Sequence, residues 1–441
     1  MAAIAETQTN VYRQEFDGDS AQRPAWLQSL QQRGIDAFEA QGFPTRRQEA
    51  WRKVDLNPVT QHHYPRVAEP GTVGASLADK LRQFAGHRVV FVDGFFAQEL
   101  SDVGSLPKGL TVGSLAEYGD SAPERLTQVM GQRVDVDEQP FIALNTGLFR
   151  DGAFVHVARG ALIEQPVVII HVATDAAQGH AVYPRTAVRV EDGAEARVIE
   201  HFVSADETEG LVVPVSEVHA GDDAIVDYHR IQEEGEAMRH IGGAHATAGR
   251  NASARMYAFA AGAALSRVDY YADLEAEGSD VQLNGLYLTH GRQFSDQHTY
   301  VNHRQPHGTS SQIFRGILQG RSETTFDGLI RVFEGAEKTS AEQQNRNLLL
   351  DKLALSHSNP RLEIFNNDVV CTHGSTVGEL DEAAMFYLQS RGVSAAEAKS
   401  LLTIAFANEV LDNIRETQVS EYVRDRILDR LPGGENMRSR Q

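Results

Sequence analysis

The sequence holds a single cysteine, Cys371, and two residues beyond it a histidine, His373. Val369, Val370 and Cys371 form a strand-like run. Residues at i and i+2 of a strand share a face, so the thiol and the imidazole should project together while Thr372 points away. Thiolate and imidazole are both competent transition-metal ligands. Two ligands cannot complete a tetrahedral metal site, so a partner chain would have to supply the rest. One cysteine also excludes an internal disulfide framework and any four-cysteine metal site built by one chain. Both residues have plainer readings. Cys371 would serve as a small buried hydrophobe closing a strand, and His373 beside Gly374 as a turn residue bonded to backbone.

Other chemistry is less well marked. His290, His298, His303 and His307 follow no compact ligand spacing such as H-E-x-x-H, and with 17 histidines in the chain they read as satisfied or solvent-facing side chains. Asn345, Asn347, Asn366 and Asn367 read as turn and strand-edge hydrogen bonding. A phosphate-binding loop needs G-x-x-x-x-G-K-[ST], so that backbone N–H groups and a lysine surround the phosphates. The segment Gly335-Ala336-Glu337-Lys338-Thr339 has the wrong spacing, and ATP hydrolysis by this chain is not expected.

Composition bounds the class. At 441 residues the chain exceeds the size at which one compact core stops growing, which calls for several domains or an elongated repeat. With 41% hydrophobic and 23% charged residues it should fold. A formal charge of -20 repels nucleic acid and anionic lipid. Met1 to Asn10 lacks the pattern of an export signal and no long apolar run occurs, so a reducing cytoplasm is the expected location.

These residues must be positioned by elements of two periods. Pro24 to Glu39 reads as a helix, Ala75 to Phe84 as a shorter one, and Val89 to Val92 as a strand closing at Asp93-Gly94. In the middle, turn glycines precede β-type alternation at Gly193, Gly221, Gly249, Gly278 and Gly308, at intervals of 28, 28, 29 and 30 residues. Three residues after each glycine stands Ala196, Ala224, Ala252, Val281 or Ser311, and five after it Val198, Val226, Ala254, Leu283 or Ile313. Such small or apolar residues at period 2 point one way from a strand, and in-phase positions such as Val198, Val226, Ala254 and Leu283 should face inward. A unit of this size without helical pattern cannot bury its own apolar face, so copies must stack into a β-solenoid. A β-sandwich is the competing arrangement.

Period 3.6 returns at the end. Asp381 to Arg391 stops at Gly392, Ser394 to Glu397 is a capping box opening a run to Ile414, and Ser420 to Leu431 stops at Pro432-Gly433-Gly434. These helices should cap the solenoid edge or bind a partner. The expected division is a mostly helical N-terminal domain over 1–145, a solenoid over 146–378 and a C-terminal helical domain over 379–441.

Several segments resemble the SufB/SufD family of iron–sulfur cluster assembly scaffolds, on its SufD side. They are GFPTRRQEAWRKVDL (Gly42 to Leu56), EDGAEARVIEHFVS (Glu191 to Ser204), VNHRQPHGTSSQIFRGIL (Val301 to Leu318), EQQNRNLLL (Glu342 to Leu350), PRLEIFNNDVVCTHGSTVGELD (Pro360 to Asp381) and FYLQSRG (Phe386 to Gly392). The resemblance implies a right-handed parallel β-helix between helical ends. It implies a non-catalytic scaffold on which a transient iron–sulfur cluster forms at the interface with SufB, with His373 and Cys371 as the candidate ligands here. A SufB chain would carry its essential cysteine where this chain has Leu388. The resemblance places ATPase activity in a separate partner, SufC, docked through the helices from Asp381 to Leu431. It also allows a flavin on the assembled complex, and pairing of this chain with itself when SufB is absent.

A β-helix enzyme acting on polysaccharide is the alternative from another class. No carboxylate constellation repeats in phase to bind calcium or sugar.

Overall fold

The structure is a computed structural model that describes residues 2–18, 25–121, 126–127, 129–432 and 434. Pro24 and Gly433, which bound helices in the sequence reading, lie outside the described residues.

From Val167 onward the chain alternates between two parallel sheets, laying a strand in each per turn. The first sheet holds ten strands and ends on Val370–Gly378; the second holds eleven and ends on Leu355–Ile364. Parallel pairing between successive turns excludes the sandwich and makes this a β-helix. Every second residue points into the bore, where Ala196, Val198, Val226, Ala254, Val281 and Leu283 form one buried core.

The register corrects the sequence phase. The rung through Ala196 continues to Val226, Ala254, Val281, Ser310, Ala341 and Cys371. Val198 pairs with Tyr228, and Leu283 with Met256 and Gln312. A slip of two residues keeps a side chain on the same face, so all four predicted inward positions are buried. A slip of one reverses it. Ser311 and Ile313 therefore stand on the outer face, paired with Gln282 and Asn284.

The N-terminal region packs on the outer face of the second sheet, joining Phe38, Trp51, Phe141 and Ile142 to Phe154, Val215 and Ile241. Residues within 1–145 also enter the solenoid itself. His87–Val92 pairs with Val167–Ala173, and Leu110–Ser114 with Ala153–Val157. The predicted turn after Val92 is present, with Asp93 and Gly94 at φ of 52° and 87°. The helix Ala2–Gly18, which buries Tyr12 and Phe16, was not read from the sequence.

At the other end, Ser394 and Glu397 form the expected reciprocal capping box of the Ala395–Leu411 helix. That helix and Thr417–Asp429 do not cap an edge. Ile404, Val410, Val423 and Ile427 bury the outer face of the first sheet at Ile170, Ile199, Ile231, Leu286 and Ile317. Arg315 on that face pairs with Glu409, and Tyr422 donates to Glu233 at 2.5 Å.

Two histidines under these covers bear on acid stability. His229 stacks on Tyr257 at 4.9 Å and His245 on Tyr271 at 4.5 Å. All four of their ring nitrogens are buried without a hydrogen bond. Burial first, and then Arg197 or Arg185, lowers each imidazole to about 3. Because the unfolded chain protonates them at the ordinary value of 6.5, their contribution is complete above that pH and is lost as pH falls towards 3. Each should remove about 2 kcal/mol between pH 6.5 and pH 5. Replacing both by Phe, which keeps the stacking, should flatten stability against pH in that window. Urea midpoints falling as steeply in the double variant as in the parent would contradict this assignment.

Candidate functional site

The last strand of the first sheet, Val370–Gly378, has a neighbour on one side only, Ser340–Leu349. Cys371 stands in register with Ala341 and His373 with Gln343, both bore-facing residues. Strand alternation therefore brings Cys371 and His373 together on the inward face of the last turn, as expected from their spacing, with Thr372 on the other face. Cys371 is half-buried, and burial pushes its thiol up. His373 is exposed. A raised thiol pKa leaves little thiolate in the isolated chain, so a bound metal or a partner cation would be needed to deprotonate it.

Among the described residues no group of three or more His, Cys, Asp or Glu side chains is arranged to hold a metal ion. The other sequence candidates are occupied elsewhere. His303 faces the bore and meets Ser310 Oγ at 2.8 Å, and burial lowers it to about 4. His298 pairs with Asp296 at 2.9 Å, His290 with Glu236 at 3.1 Å, and His307 sits in a turn at φ 60°. Of the asparagines read as turn and strand-edge hydrogen bonding, Asn366 does accept from the Asp368 N–H at 3.0 Å in the bend before the last strand, whereas Asn345 and Asn347 correct that reading. Both are buried in the bore, where the Tyr287 hydroxyl donates to Asn347 at 2.6 Å and accepts from Asn345 at 2.9 Å.

The end of the solenoid is polar within and apolar at its rim. Inside, Gln312 and Gln343 continue the rung of His373, and Ser356 on the opposite strand accepts from Thr324 at 3.1 Å. Outside, Leu355 is 53% exposed, Phe365 62% and Val370 67%. Among the described residues nothing buries these three side chains, and such a bare apolar edge invites pairing with another chain.

The Gly42 to Leu56 segment reaches the same end. Arg267 lies 3.7 Å from the Trp51 ring centroid and donates to the Ala50 carbonyl at 2.5 Å. Glu49, Arg52 and Lys53 then line a cavity of about 480 Å³ with Asp327 and with Ser375 and Val377 of the last strand. Deeper in the bore lies a buried ionic centre that the sequence reading missed. Glu200 accepts from Ser216 at 2.7 Å, from His171 at 3.1 Å, and from Thr186 and Tyr228. Burial opposes its ionisation, but the His171 contact and the Arg230 charge bring it down to about 2. Its signal was available, since Glu200 lies at an even offset from Val198 and so on the inward face.

Leu388 is half-buried in the Glu382–Ser390 helix, which has no buried residue and leaves Phe386 and Tyr387 exposed.

Comparison with known proteins gives a consistent result. Residues 171–406 match the model described as SUF system FeS cluster assembly, SufBD core domain, and residues 2–169 match the SufBD protein N-terminal region. The iron–sulfur cluster assembly protein SufD of Escherichia coli is 29% identical over 423 residues, covering 95% of this chain and 96% of its own. An iron–sulfur cluster assembly SufBD family protein of Synechocystis is 30% identical over 397 residues, covering 88% and 87%. SufD of Bacillus subtilis is 24% identical over 428 residues, covering 89% and 91%. None of these matches supports a polysaccharide-acting enzyme.

Proposed function

The chain belongs to the SufBD family of the SUF system and is SufD-like, with a role in iron–sulfur cluster assembly, and on that premise we propose that it is a non-catalytic cytoplasmic scaffold subunit whose open solenoid end receives a SufB-like chain. The observation that carries this reading is the last strand, open on one side, which presents Cys371 and His373 together at an edge where no third ligand stands among the described residues.

A partner strand laid against Val370–Gly378 would satisfy its free backbone groups and cover Val370, Leu355 and Phe365. It would bring further thiolate or carboxylate ligands to the inward face, where the nascent cluster is the cargo and His373 one of its ligands. The exposed Phe386 and Tyr387 of the Glu382–Ser390 helix supply the contact for a SufC-like ATPase. Among the described residues no helix is long and apolar enough to cross a membrane.

Anaerobic reconstitution of the complex with SufB-like and SufC-like chains, read by iron and sulfide content, tests the site. His373→Ala removes an exposed side chain, so folding and complex formation should be retained while cluster content falls at least tenfold. Cys371→Ser should match that loss if the thiol is a ligand and fall well short of it if the thiol is only packed. Parental cluster content in a correctly assembled His373→Ala complex would remove the basis of the assignment.

A further inference from the structure

One rung of the bore passes from apolar side chains to amides. Along it the inward residues run Met256, Leu283, Gln312, Gln343 and His373. Gln343 is fully buried, and its Nε2 donates to Gln312 Oε1 at 3.2 Å. Its own Oε1 has no hydrogen-bond partner, nor has Gln312 Nε2. The opposite sheet makes room for this amide. A Cβ at Gly328 would stand 2.3 Å from Gln343 Nε2, so a glycine there lets the side chain extend across the bore.

A buried carbonyl oxygen without a donor is costly, and native structures rarely leave one. The side chain one rung on from Gln343 is His373, about 4.8 Å away along the hydrogen-bonding direction of the sheet. The donor polarity of the ladder runs from Gln343 to Gln312, which leaves the acceptor of Gln343 unused. An imidazole that ligates a metal through one nitrogen commonly donates the other N–H to a fixed acceptor, which sets its tautomer.

We propose that Gln343 is a positioning residue for His373: its Oε1 accepts one ring N–H, holds the imidazole in a single tautomer and leaves the other nitrogen's lone pair directed to the open edge. Gln312 fixes the Gln343 amide in turn. This rests on the reading of His373 as a cluster ligand, but the contact itself is testable without a cluster.

Nitrogen-15 NMR of the full chain labelled at histidine, with His373 assigned by its absence in His373→Ala, reads the tautomer directly. One tautomer is expected in the parent and a mixture in Gln343→Leu. Gln343→Glu keeps an acceptor, which the free Gln312 amide can bond, and should restore the single tautomer. In the reconstituted complex Gln343→Leu should weaken cluster binding by about 10- to 100-fold, the usual effect of losing such a support, with Gln343→Glu recovering most of it. An unchanged tautomer in Gln343→Leu overturns the proposal. If instead the tautomer is lost in Gln343→Leu while His373→Ala still builds a parental cluster, the positioning contact stands and the ligand assignment falls.

Discussion

Val226→Asp should lower the melting temperature sharply, or prevent folding, while Ile313→Asp should do far less. Val226 is 1% exposed, faces the bore, and has Ala196 and Ala254 as its rung neighbours. None of these can pair with a carboxylate, and an uncompensated buried charge costs several kcal/mol. Ile313 points the other way and is only half-buried. A thermal melt compares the two variants with the parent. Equal melts for Val226→Asp and parent would show that the bore is not packed at this rung.

That pair of substitutions also shows what could be read from the amino acids. The turn glycines locate the repeat because each marks where a strand begins. They do not set the register, because turns of different length intervene before the next strand. From Gly221 to Gly249 the interval matches the rung step of Val226 to Ala254, whereas Val198 falls two residues from the rung of Val226. Errors of two are harmless on an alternating strand and errors of one are not, which is why Val198 was placed correctly and Ile313 was not. Cys371 and His373 were legible because their relation is local to one strand. The amide ladder behind them was not, since Gln312 and Gln343 lie on separate turns and meet only when the rungs are aligned.

Phe386→Ser combined with Tyr387→Ser should reduce affinity for the SufC-like ATPase by about a hundredfold or more, the scale expected when two aromatic anchors leave an interface. Both rings are exposed in the free chain, at 73% and 58%, so the melt of the double variant should match the parent. Deleting residues 394–441 is a poorer probe. It strips the cover from Ile170, Ile199, Ile231, Leu286 and Ile317, and loss of binding would then report aggregation. Isothermal titration of the double variant separates the two effects. Parental affinity there would move the docking site off the Glu382–Ser390 helix.

The strand with one neighbour has a thermodynamic corollary. In a stack where each turn is held by the turns on either side, local opening free energy is highest in the middle and lowest at a bare end. Val370–Gly378 is the outermost rung of its sheet, so its amides should exchange with solvent far faster than those of Ile225–Glu233. Transient opening of that rung would loosen Cys371 and the far end of the strand more than His373, which the Gln343 contact holds whenever the rung is closed. A second chain zipping onto the rung, as proposed, would suppress that opening and fix the spacing of the two side chains in the assembled pair.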